Sequence, residues 1–412
     1  MTRPSAASSS TSEVLDVAIV GGGLSGLVLA RALHRCGGGS GSGNRSSRCH
    51  PGRGRTWTVL EASPRLGGRI ESDGDGDGID LGAAWMWPSH FQPHLTGLVR
   101  ELGLGPLVPP ARTDAGGARR IRGGAERIIE RIAGELPAGL VRTRAPVLAC
   151  HWSGDGRDGD GHVLLELGGE GGGGVVRARR VVLAAPPRIL VGGRVRFDPP
   201  LSRRRVAAME TSRTWMAGVT KVALVYRRTG PAGAGAGAFS AVVPRHLRLL
   251  PPGGATPSPA FQVYDSTPEG AAIEAITFFA LDRDRCGGGD DDDDLALARE
   301  CSRQVDLGGS SPNTSPSRTL TDFDAHHVKR WPLEAYVSDD PAPDGIHPHP
   351  ADVAALRGSD WDGRLLFAGS ETDGEAPGLM EGAVGSALRA MKELGALWRA
   401  EEADGEAIGW VE

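Results

Sequence analysis

Residues 14–31 read VLDVAIVGGGLSGLVLAR. The first seven form a mostly apolar run rich in β-branched side chains, which indicates a buried parallel strand. Apolar residues at helical spacing then run from Leu24 to Leu33. Between the two elements, glycines stand at the G-x-G-x-x-G spacing, at Gly21, Gly23 and Gly26. This order predicts a tight strand-to-helix turn that presents backbone amides and a helix N-terminus to a pyrophosphate.

The three glycines have different expected roles in such a turn. Gly21 makes the turn, Gly23 lets a phosphate come close to the backbone, and Gly26 lets the helix pack against the strand. The alternative is a glycine-rich turn without function, because the chain contains 62 glycines. The position of the motif between a strand and a helix favours the dinucleotide site.

Composition sets limits on the class of protein. A chain of 412 residues can bury large cores and is expected to hold two domains. Its net charge of −5 gives no global basic field for nucleic acid. The five cysteines are scattered without a C-x-x-C pair, so neither a disulfide framework nor a zinc site is indicated, and we expect a cytoplasmic protein. Residues 1–12 are predicted to be a disordered tail, and no membrane span or metal site is expected.

A second strand, Thr56 to Leu60, ends at Glu61. An acid at this place in a dinucleotide fold accepts hydrogen bonds from the adenosine ribose. The interval from Gly26 exceeds the usual spacing of about 20 residues, which we attribute to a Gly-, Ser- and Arg-rich insertion at residues 37–55. A solvated glutamate is the alternative.

The next segment, EASPRLGGRI at residues 61–70, places two arginines around a Gly-Gly pair. Arg65 and Arg69 beside exposed backbone amides are suited to a diphosphate or a flavin ring. Asp73 to Gly78 alternates Asp and Gly but lacks the acid that a calcium loop needs at its twelfth position, so a hairpin tip is predicted there.

The glycine turn, the Glu61 strand end, the Arg-Leu-Gly-Gly-Arg loop and the segment DLGAAW at residues 80–85 follow the order seen in flavin-containing amine oxidases. Residues 365–390, LLFAGSETDGEAPGLMEGAVGSALRA, resemble the C-terminal flavin motif of that family. In the resemblance, Glu371 matches the acid that meets the ribitol or diphosphate, and a helix begins at about Met380 beneath the flavin.

The resemblance extends to the middle of the chain. Residues 122–136 resemble the Gly-Gly turn and helix that re-enter the flavin domain, and Val147 falls where the family makes a backbone contact to adenine. Lys221 begins a predicted strand where many amine oxidases hold a water near flavin N5, a role that would assist reoxidation by oxygen. Trp331 matches an aromatic residue near the flavin. For Val147, Lys221 and Trp331 a purely structural role is the alternative.

The resemblance implies non-covalent FAD, since no cysteine occurs after Cys301. It implies one catalytic residue, Lys221. The implied cofactor-binding residues are Gly21, Gly23, Leu24, Ser25, Gly26, Glu61, Ala62, Arg65, Gly68, Arg69, Gly82, Ala83, Ala84, Trp85, Val147, Trp331, Gly369, Glu371, Leu379, Met380 and Ala383.

Two departures from the family pattern concern the substrate. Leu379 stands where monoamine oxidases carry one of the aromatic rings that enclose the amine. Between Gly103 and Gly123 only a short linker replaces most of a helical substrate-binding subdomain. We therefore expect a flavin face that is more open to solvent, with weak turnover of small monoamines and better use of bulky or apolar amines.

The expected fold is α/β, with a Rossmann-like FAD-binding domain of discontinuous segments and a shortened mixed-sheet α+β substrate domain. The FAD-binding domain is expected at residues 13–88, 119–213 and 361–400, and the substrate domain at 89–118 and 214–360. The function implied by the resemblance is amine oxidation, with hydride transfer to flavin N5 and O2 reduced to H2O2. Two alternatives remain open: a related FAD-dependent desaturase, and a flavin-binding protein with little turnover.

Overall fold

A computed structural model gives the fold of the protein. The residues that it describes are 13–37, 54–74, 76–105, 117–152, 154, 161–169, 173–227, 247–248, 259–281, 291–306, 320–337 and 350–408. The expected N-terminal tail, most of the 37–55 insertion, and most of the low-complexity loops between residues 228 and 349 lie outside these ranges.

The described segments form strands and helices in a mixed order along the chain. The strands are β1 (Leu15–Val20), β2 (Trp57–Leu60), β3 (Val141–Arg142), β4 (Val147–Trp152), β5 (Val163–Leu167), β6 (Val175–Leu183), β7 (Arg196–Asp198), β8 (Thr220–Arg227), β9 (Leu247–Arg248), β10 (Ala260–Asp265), β11 (Ile273–Ala280), β12 (Ala325–Arg330), β13 (Ser359–Asp360) and β14 (Leu365–Phe367). The helices are α1 (Leu24–Gly37), α2 (Pro93–Glu101), α3 (Glu126–Glu135), α4 (Pro187–Val191), α5 (Arg203–Thr211), α6 (Asp291–Asp306) and α7 (Met380–Ile408). Short 3-10 turns occupy Trp331–Leu333, Ala354–Leu356 and Ser370–Thr372.

The first sheet contains the predicted dinucleotide-binding core. Its parallel part runs β3-β2-β1-β6-β14, with Val17 of β1 opposite Trp57 of β2 and Arg180 of β6. Strand β6 is long enough to pair with two strands along the same edge. Its first half pairs with β5, and its last residues pair with β14. The sheet continues from β5 through β4 to β7. Strands β4, β5 and β6 follow one another along the chain as an antiparallel meander.

Helices α1, α3 and α7 pack on one face of this sheet. The predicted apolar face of α3 is buried through Ile128, Ile129 and Ile132. Helix α7 begins at Met380, as expected, and its apolar side chains bury down to Trp398 in the same core. Helix α2 was not predicted, and its residues were assigned to the substrate domain. Its apolar side chains lie in this same core, although the domain division as a whole stays a prediction.

The second sheet is antiparallel, in the order β12-β8-β11-β10-β9. Apolar side chains of β8, β10 and β11 pack with α6 in a core of their own. Helix α6 begins at Asp291 and has four aspartates in its first turn. Carboxylates at that end are favoured by the helix dipole. The strands of this sheet fall in the range expected for the mixed sheet of the substrate domain, but all pairings among its described strands are antiparallel.

Three of the remaining features concern expectations from the sequence: the hairpin tip, a metal site and a membrane span. Ser72 and Asp80 pair antiparallel across the predicted hairpin, whose tip includes Gly76 and Gly78 at positive φ. Within the part of the chain that the structure describes, His, Cys, Asp and Glu form no group of three or more that could hold a metal ion. None of the described helices combines the length and apolarity needed to cross a membrane.

Candidate functional site

One cavity of about 910 Å³ lies between the glycine turn, the C-terminal motif and the second sheet. Pockets for small molecules occupy about 300–1,000 Å³, so this one is large enough for an extended ligand. Every residue predicted to bind the cofactor lines it except Gly26, and Lys221 lines it too. The sequence therefore predicted the walls of one continuous cavity from segments far apart in the chain.

The glycines of the turn differ in what surrounds them. A Cβ on Gly26 would lie 2.0 Å from the Gly21 carbonyl oxygen, so this position serves the packing of helix on turn. Gly21 has φ +111° and backs against the Ala184 carbonyl. Gly23 and Gly68 face each other across the cavity wall, and the nearest atom to a Cβ on Gly23 is the Gly68 Cα at 4.0 Å.

The N-terminus of α1 opens into the same cavity, because Leu24 and Ser25 line it. No acidic residue occupies the first turn of α1. The unpaired amides and positive dipole end of a helix attract an anion. A diphosphate lying over Gly23 would therefore meet backbone donors of the first turn of α1 without competition from an acid in that turn.

Glu61 lies at the end of β2, as expected, with only 7% of its surface exposed. Its Oε2 accepts the Gly22 amide hydrogen at 2.6 Å, and its Oε1 accepts that of Ser63 at 2.7 Å. The carboxylate thus holds the glycine turn and the following loop together. A carboxylate offers about four acceptor sites, so bonds to ribose hydroxyls stay possible and the ribose contact stays a prediction.

The two arginines of the loop have separate partners. Arg65 donates to the carbonyls of Leu66, Gly68 and Ile70 and pairs with Glu71 at 2.5 Å, so its guanidinium braces the loop. A direct contact of Arg65 with a phosphate remains a prediction.

Arg69 instead reaches the C-terminal motif. Its Nη2 donates to Ser370 Oγ at 3.0 Å and to Glu371 Oε2 at 3.1 Å, and its Nη1 lies 2.7 Å from Glu371 Oε1. Neither Nη1 nor Oε1 makes a well-aligned hydrogen bond among the described residues. Both residues line the cavity, and both keep hydrogen-bonding capacity for a ligand there.

Hydroxyl groups join the two ends of the chain at the cavity floor. Ser386 Oγ donates to the Ala383 carbonyl, which leaves Ser25 Oγ to donate to Ser386 Oγ at 3.0 Å. The Gly369 amide donates to Ser25 Oγ, also at 3.0 Å. Met380 and Ala383 line the floor beside this chain of bonds.

One residue of the C-terminal helix acts outside the cavity. Glu381 accepts the amide hydrogens of His94 and Leu95 at 3.0 and 2.7 Å, and so caps the N-terminus of α2. The sequence contained the acid but no local signal for its partner, since the two are far apart in the chain. This cap ties the unpredicted helix α2 to the start of α7.

Lys221 is 2% exposed and joins the second sheet to the DLGAAW segment. Its Nζ donates to the carbonyls of Gly82 and Asp80 at 2.5 and 3.1 Å, and contacts Tyr264 Oη at 3.3 Å. An ammonium has three donors, so all three are directed at protein oxygens. Tyr264 is the most distant partner, and it is the contact that a water near the cavity would replace. A role for Lys221 toward the flavin stays a prediction.

Asp80 fixes the start of the DLGAAW segment. Its carboxylate accepts the Ala125 amide hydrogen at 2.7 Å and bonds Ser72 Oγ at 3.1 Å. Burial raises the pKa of this carboxyl to about 6, against the opposing effects of those hydrogen bonds and the Lys221 charge. Asp80 thus positions the segment that supplies Gly82, Ala83, Ala84 and Trp85 to the cavity wall.

The part of the cavity beside the second sheet is rich in aromatic rings. Trp331 is buried and its Nε1 donates to the Leu81 carbonyl at 2.9 Å. The sequence missed the other rings at this end, because none of them stands in a recognisable motif: Trp215, Phe261, Phe279 and Tyr336. We call these five side chains together with Leu379 the aromatic end.

Leu379 provides no aromatic ring at the position where monoamine oxidases carry one. The Trp215 side chain, however, lies close to this position. The Trp215 Cβ is 3.1 Å from where a Cβ on Gly378 would lie. Val147 also lines the cavity, and its backbone contact to adenine stays a prediction. Residues 106–116, on which the expectation of an open flavin face rests, lie outside the described residues, so that expectation remains a prediction.

These features fit FAD. Two glycines without side chains border the place of a diphosphate, a helix N-terminus points at it, and Arg69 with Glu371 offers hydrogen bonds beside it. The cavity then continues to the aromatic end, which leaves room for a second molecule.

Comparison with known proteins gives the same assignment. The model of the flavin containing amine oxidoreductase family matches residues 110–394, and that of an NAD(P)-binding Rossmann-like domain matches residues 19–102. Polyamine oxidase 5 from Oryza sativa subsp. japonica is 37% identical over 90 residues, which is 22% of this chain but only 15% of the rice protein.

Solved structures match over almost the whole chain. A putrescine oxidase bound to putrescine has a TM-score of 0.62 at 19% identity, with 93% of this chain and 99% of that chain covered. Cyclohexylamine oxidase from Brevibacterium oxydans has a TM-score of 0.63 at 18% identity, with 94% and 100% covered. At these identities the structural likeness establishes the fold, including both sheets.

Proposed function

The chain belongs to the family of flavin containing amine oxidoreductases, and from this we propose that it is an FAD-dependent amine oxidase. The observation that carries the proposal is the single cavity that joins the glycine turn to the aromatic end past Lys221. The overall reaction converts an amine, O2 and water into a carbonyl compound, ammonia or a smaller amine, and H2O2.

FAD supplies the hydride acceptor and passes the electrons to O2. The protein holds and orients both reactants. The N-terminus of α1, Gly23 and Arg69 would hold the diphosphate and the groups next to it, while Glu61 would hold the ribose. The aromatic end would hold the substrate carbon that bears nitrogen and exclude water around it, since apolar rings, among them the buried Phe279 and Trp331, leave few partners for water.

We propose that FAD is bound without a covalent bond. No cysteine is present among the described residues that line the cavity, and none follows Cys301 in the sequence. Acid precipitation should release the yellow colour into the supernatant. A flavin that stays with the protein pellet would contradict non-covalent binding.

The two structural neighbours support an amine as the substrate class, since one was solved with putrescine and the other is named for cyclohexylamine. The direct test is H2O2 release by the purified yellow protein in a panel of primary and secondary amines, with heat-inactivated protein as control. Peroxide formed in proportion to carbonyl product supports the proposal. A desaturated product with no carbonyl and no ammonia would instead assign the chain to the desaturase alternative.

A further inference from the structure

We propose that the substrate is a monoamine whose remaining part is apolar, and that the ion pair between Lys329 and Glu334 keeps a second ammonium group out of the site. This inference rests on the function proposed above and narrows it to one class of amine. It depends on the rings of the aromatic end and on the partners of the acids that line the cavity.

Three of the five rings of the aromatic end lie in packed apolar clusters, whereas Tyr336 is 37% exposed. Phe261 and Phe279 lie with ring centroids 6.1 Å apart, in a cluster that includes Trp85 and Met216. Trp331 packs with Ala217 and Val337 in the adjoining cluster. Such clusters favour a ligand that loses apolar surface from water, at about 25 cal/mol per Å².

Each acid in the described cavity lining already has partners. Glu61 accepts two backbone amide hydrogens, and Glu371 pairs with Arg69. Glu334, the acid nearest in sequence to Trp331, forms an ion pair with Lys329. Of the acids in the described lining, Glu334 and Glu371 have cationic partners, and Glu61 holds the glycine turn. A second ammonium at the aromatic end would therefore enter without a counter-charge.

Two cations beside the aromatic end make the binding of a doubly charged diamine still less favourable. Lys221 Nζ lies 5.1 Å from the centre of the Phe279 ring, and the Arg194 guanidinium lies 5.8 Å from that of Tyr336. An aliphatic amine has a pKa near that of lysine, about 10.4, so both ends of a diamine are charged at neutral pH. Burying the second charge unpaired is unfavourable.

The ion pairs around Lys329 show which single substitution would remove the preference for a monoamine over a diamine. Lys329 Nζ also contacts Glu71 Oε2 at 2.8 Å, but Glu71 keeps Arg65 as a partner at 2.5 Å. Glu334 has Lys329 as its ion-pair partner within the described part of the chain. Lys329→Gln would therefore leave Glu334 charged, at the cavity wall and available to an ammonium group.

Anaerobic calorimetric titration of the FAD-loaded protein with pentylamine and with cadaverine tests the substrate class directly. The two ligands share a five-carbon chain, and cadaverine carries a second ammonium group at its far end. We expect pentylamine to bind at least about tenfold more tightly. Equal binding, or tighter binding of cadaverine, would overturn the inference even if H2O2 assays confirm an amine oxidase. Absence of H2O2 with every amine would refute the proposed function, while the binding ratio still decides this inference.

Three variants test the assigned pair. Lys329→Gln should lower the ratio of the cadaverine dissociation constant to the pentylamine dissociation constant by at least about tenfold. Adding Glu334→Gln to this variant should restore the ratio of the natural protein. Lys329→Arg, which keeps the charge, should leave the ratio as in the natural protein. An unchanged ratio in Lys329→Gln, or a ratio in Lys329→Arg that narrows as much, would contradict the role of the pair. Flavin content and melting temperature identify a variant that has not folded. If Lys329→Gln has not folded, the ratio in Lys329→Arg decides on the role of the pair, and a narrowed ratio would contradict it.

Discussion

Arg69 and Glu371, 302 positions apart in the chain, form an ion pair at the wall of the cavity, with Nη1 and Oε1 separated by 2.7 Å. Glu371 has no exposed side-chain surface, and Arg69 is 24% exposed. The pair joins the loop after β2 to the turn before α7, so the two halves of the predicted cofactor site meet at this bond.

Glu371→Gln should weaken both the fold and the cofactor site. The change leaves the Arg69 charge partly buried without its counter-charge, so we expect the free energy of unfolding to fall by about 2 kcal/mol. Denaturant unfolding and FAD content measure the two effects. Glu130→Gln is the control, since its pair with Arg127 is exposed on both sides. Equal behaviour of the two variants would show that the Arg69 pair has no special role.

Gly23→Val should give a folded protein that does not bind FAD. A Cβ at Gly23 has no contact closer than 4.0 Å, so the fold tolerates it, but the branched side chain would fill the space of a diphosphate. Gly26→Val should instead prevent folding, because its Cβ would lie 2.0 Å from the Gly21 oxygen. Flavin absorbance and circular dichroism distinguish the two outcomes. Normal flavin content in folded Gly23→Val would remove Gly23 from the site.

Lys221→Met should keep the flavin and slow its reduction or reoxidation. Loss of one general catalyst typically costs about 10²–10⁴ in rate. The change also leaves the carbonyls of Asp80 and Gly82 without their shared donor, so the melting temperature should fall.

Tyr264→Phe is the matched control for Lys221→Met, because it removes only the hydroxyl that Lys221 contacts at 3.3 Å. Stopped-flow rates of the two variants are compared with the natural protein. If Lys221→Met lowers only the melting temperature and leaves both rates unchanged, the lysine is structural.

Asp80→Asn should change how stability depends on pH. Burial raises the pKa of the Asp80 carboxyl to about 6 in the folded protein, above about 3.9 in an unfolded chain. The folded state therefore binds this proton more tightly, and it loses stability as the pH rises from about 4 to about 6. The asparagine variant lacks this loss.

The measurement is the free energy of unfolding of both proteins across that range. The free energy of unfolding of the variant, relative to that of the natural protein, should rise by about 2 kcal/mol between pH 4 and pH 7. A difference that stays constant with pH would show that Asp80 does not titrate as its burial indicates.

The sequence predicted the cofactor half of the site because its chemistry needs local motifs. The glycine spacing, the acid after β2 and the helix that begins at Met380 each follow from residues close together in the chain. That the N-terminal and C-terminal motifs meet, as they do through Arg69 and Glu371, followed only from the resemblance. In that family the two motifs form one site.

The substrate half depends on contacts that no local pattern records. Trp215 reaches the cavity because β8 follows a turn that places it against Gly378. Helix α2 has few apolar residues, and it gains its N-terminal cap from Glu381, far along the chain. The ion pair of Glu334 with Lys329 also depends on tertiary structure, because it forms where β12 ends beside the turn that begins at Trp331.

The central claim is that the cavity binds FAD and oxidises an amine in contact with it. Its most direct test is to add phenylethylamine to the yellow protein without oxygen, and then to admit air. We predict that the visible flavin absorbance disappears on addition of the amine and returns with air, with one H2O2 formed for each flavin reoxidised. A colourless purified protein, or a flavin spectrum that no amine bleaches over the full panel, would contradict the account.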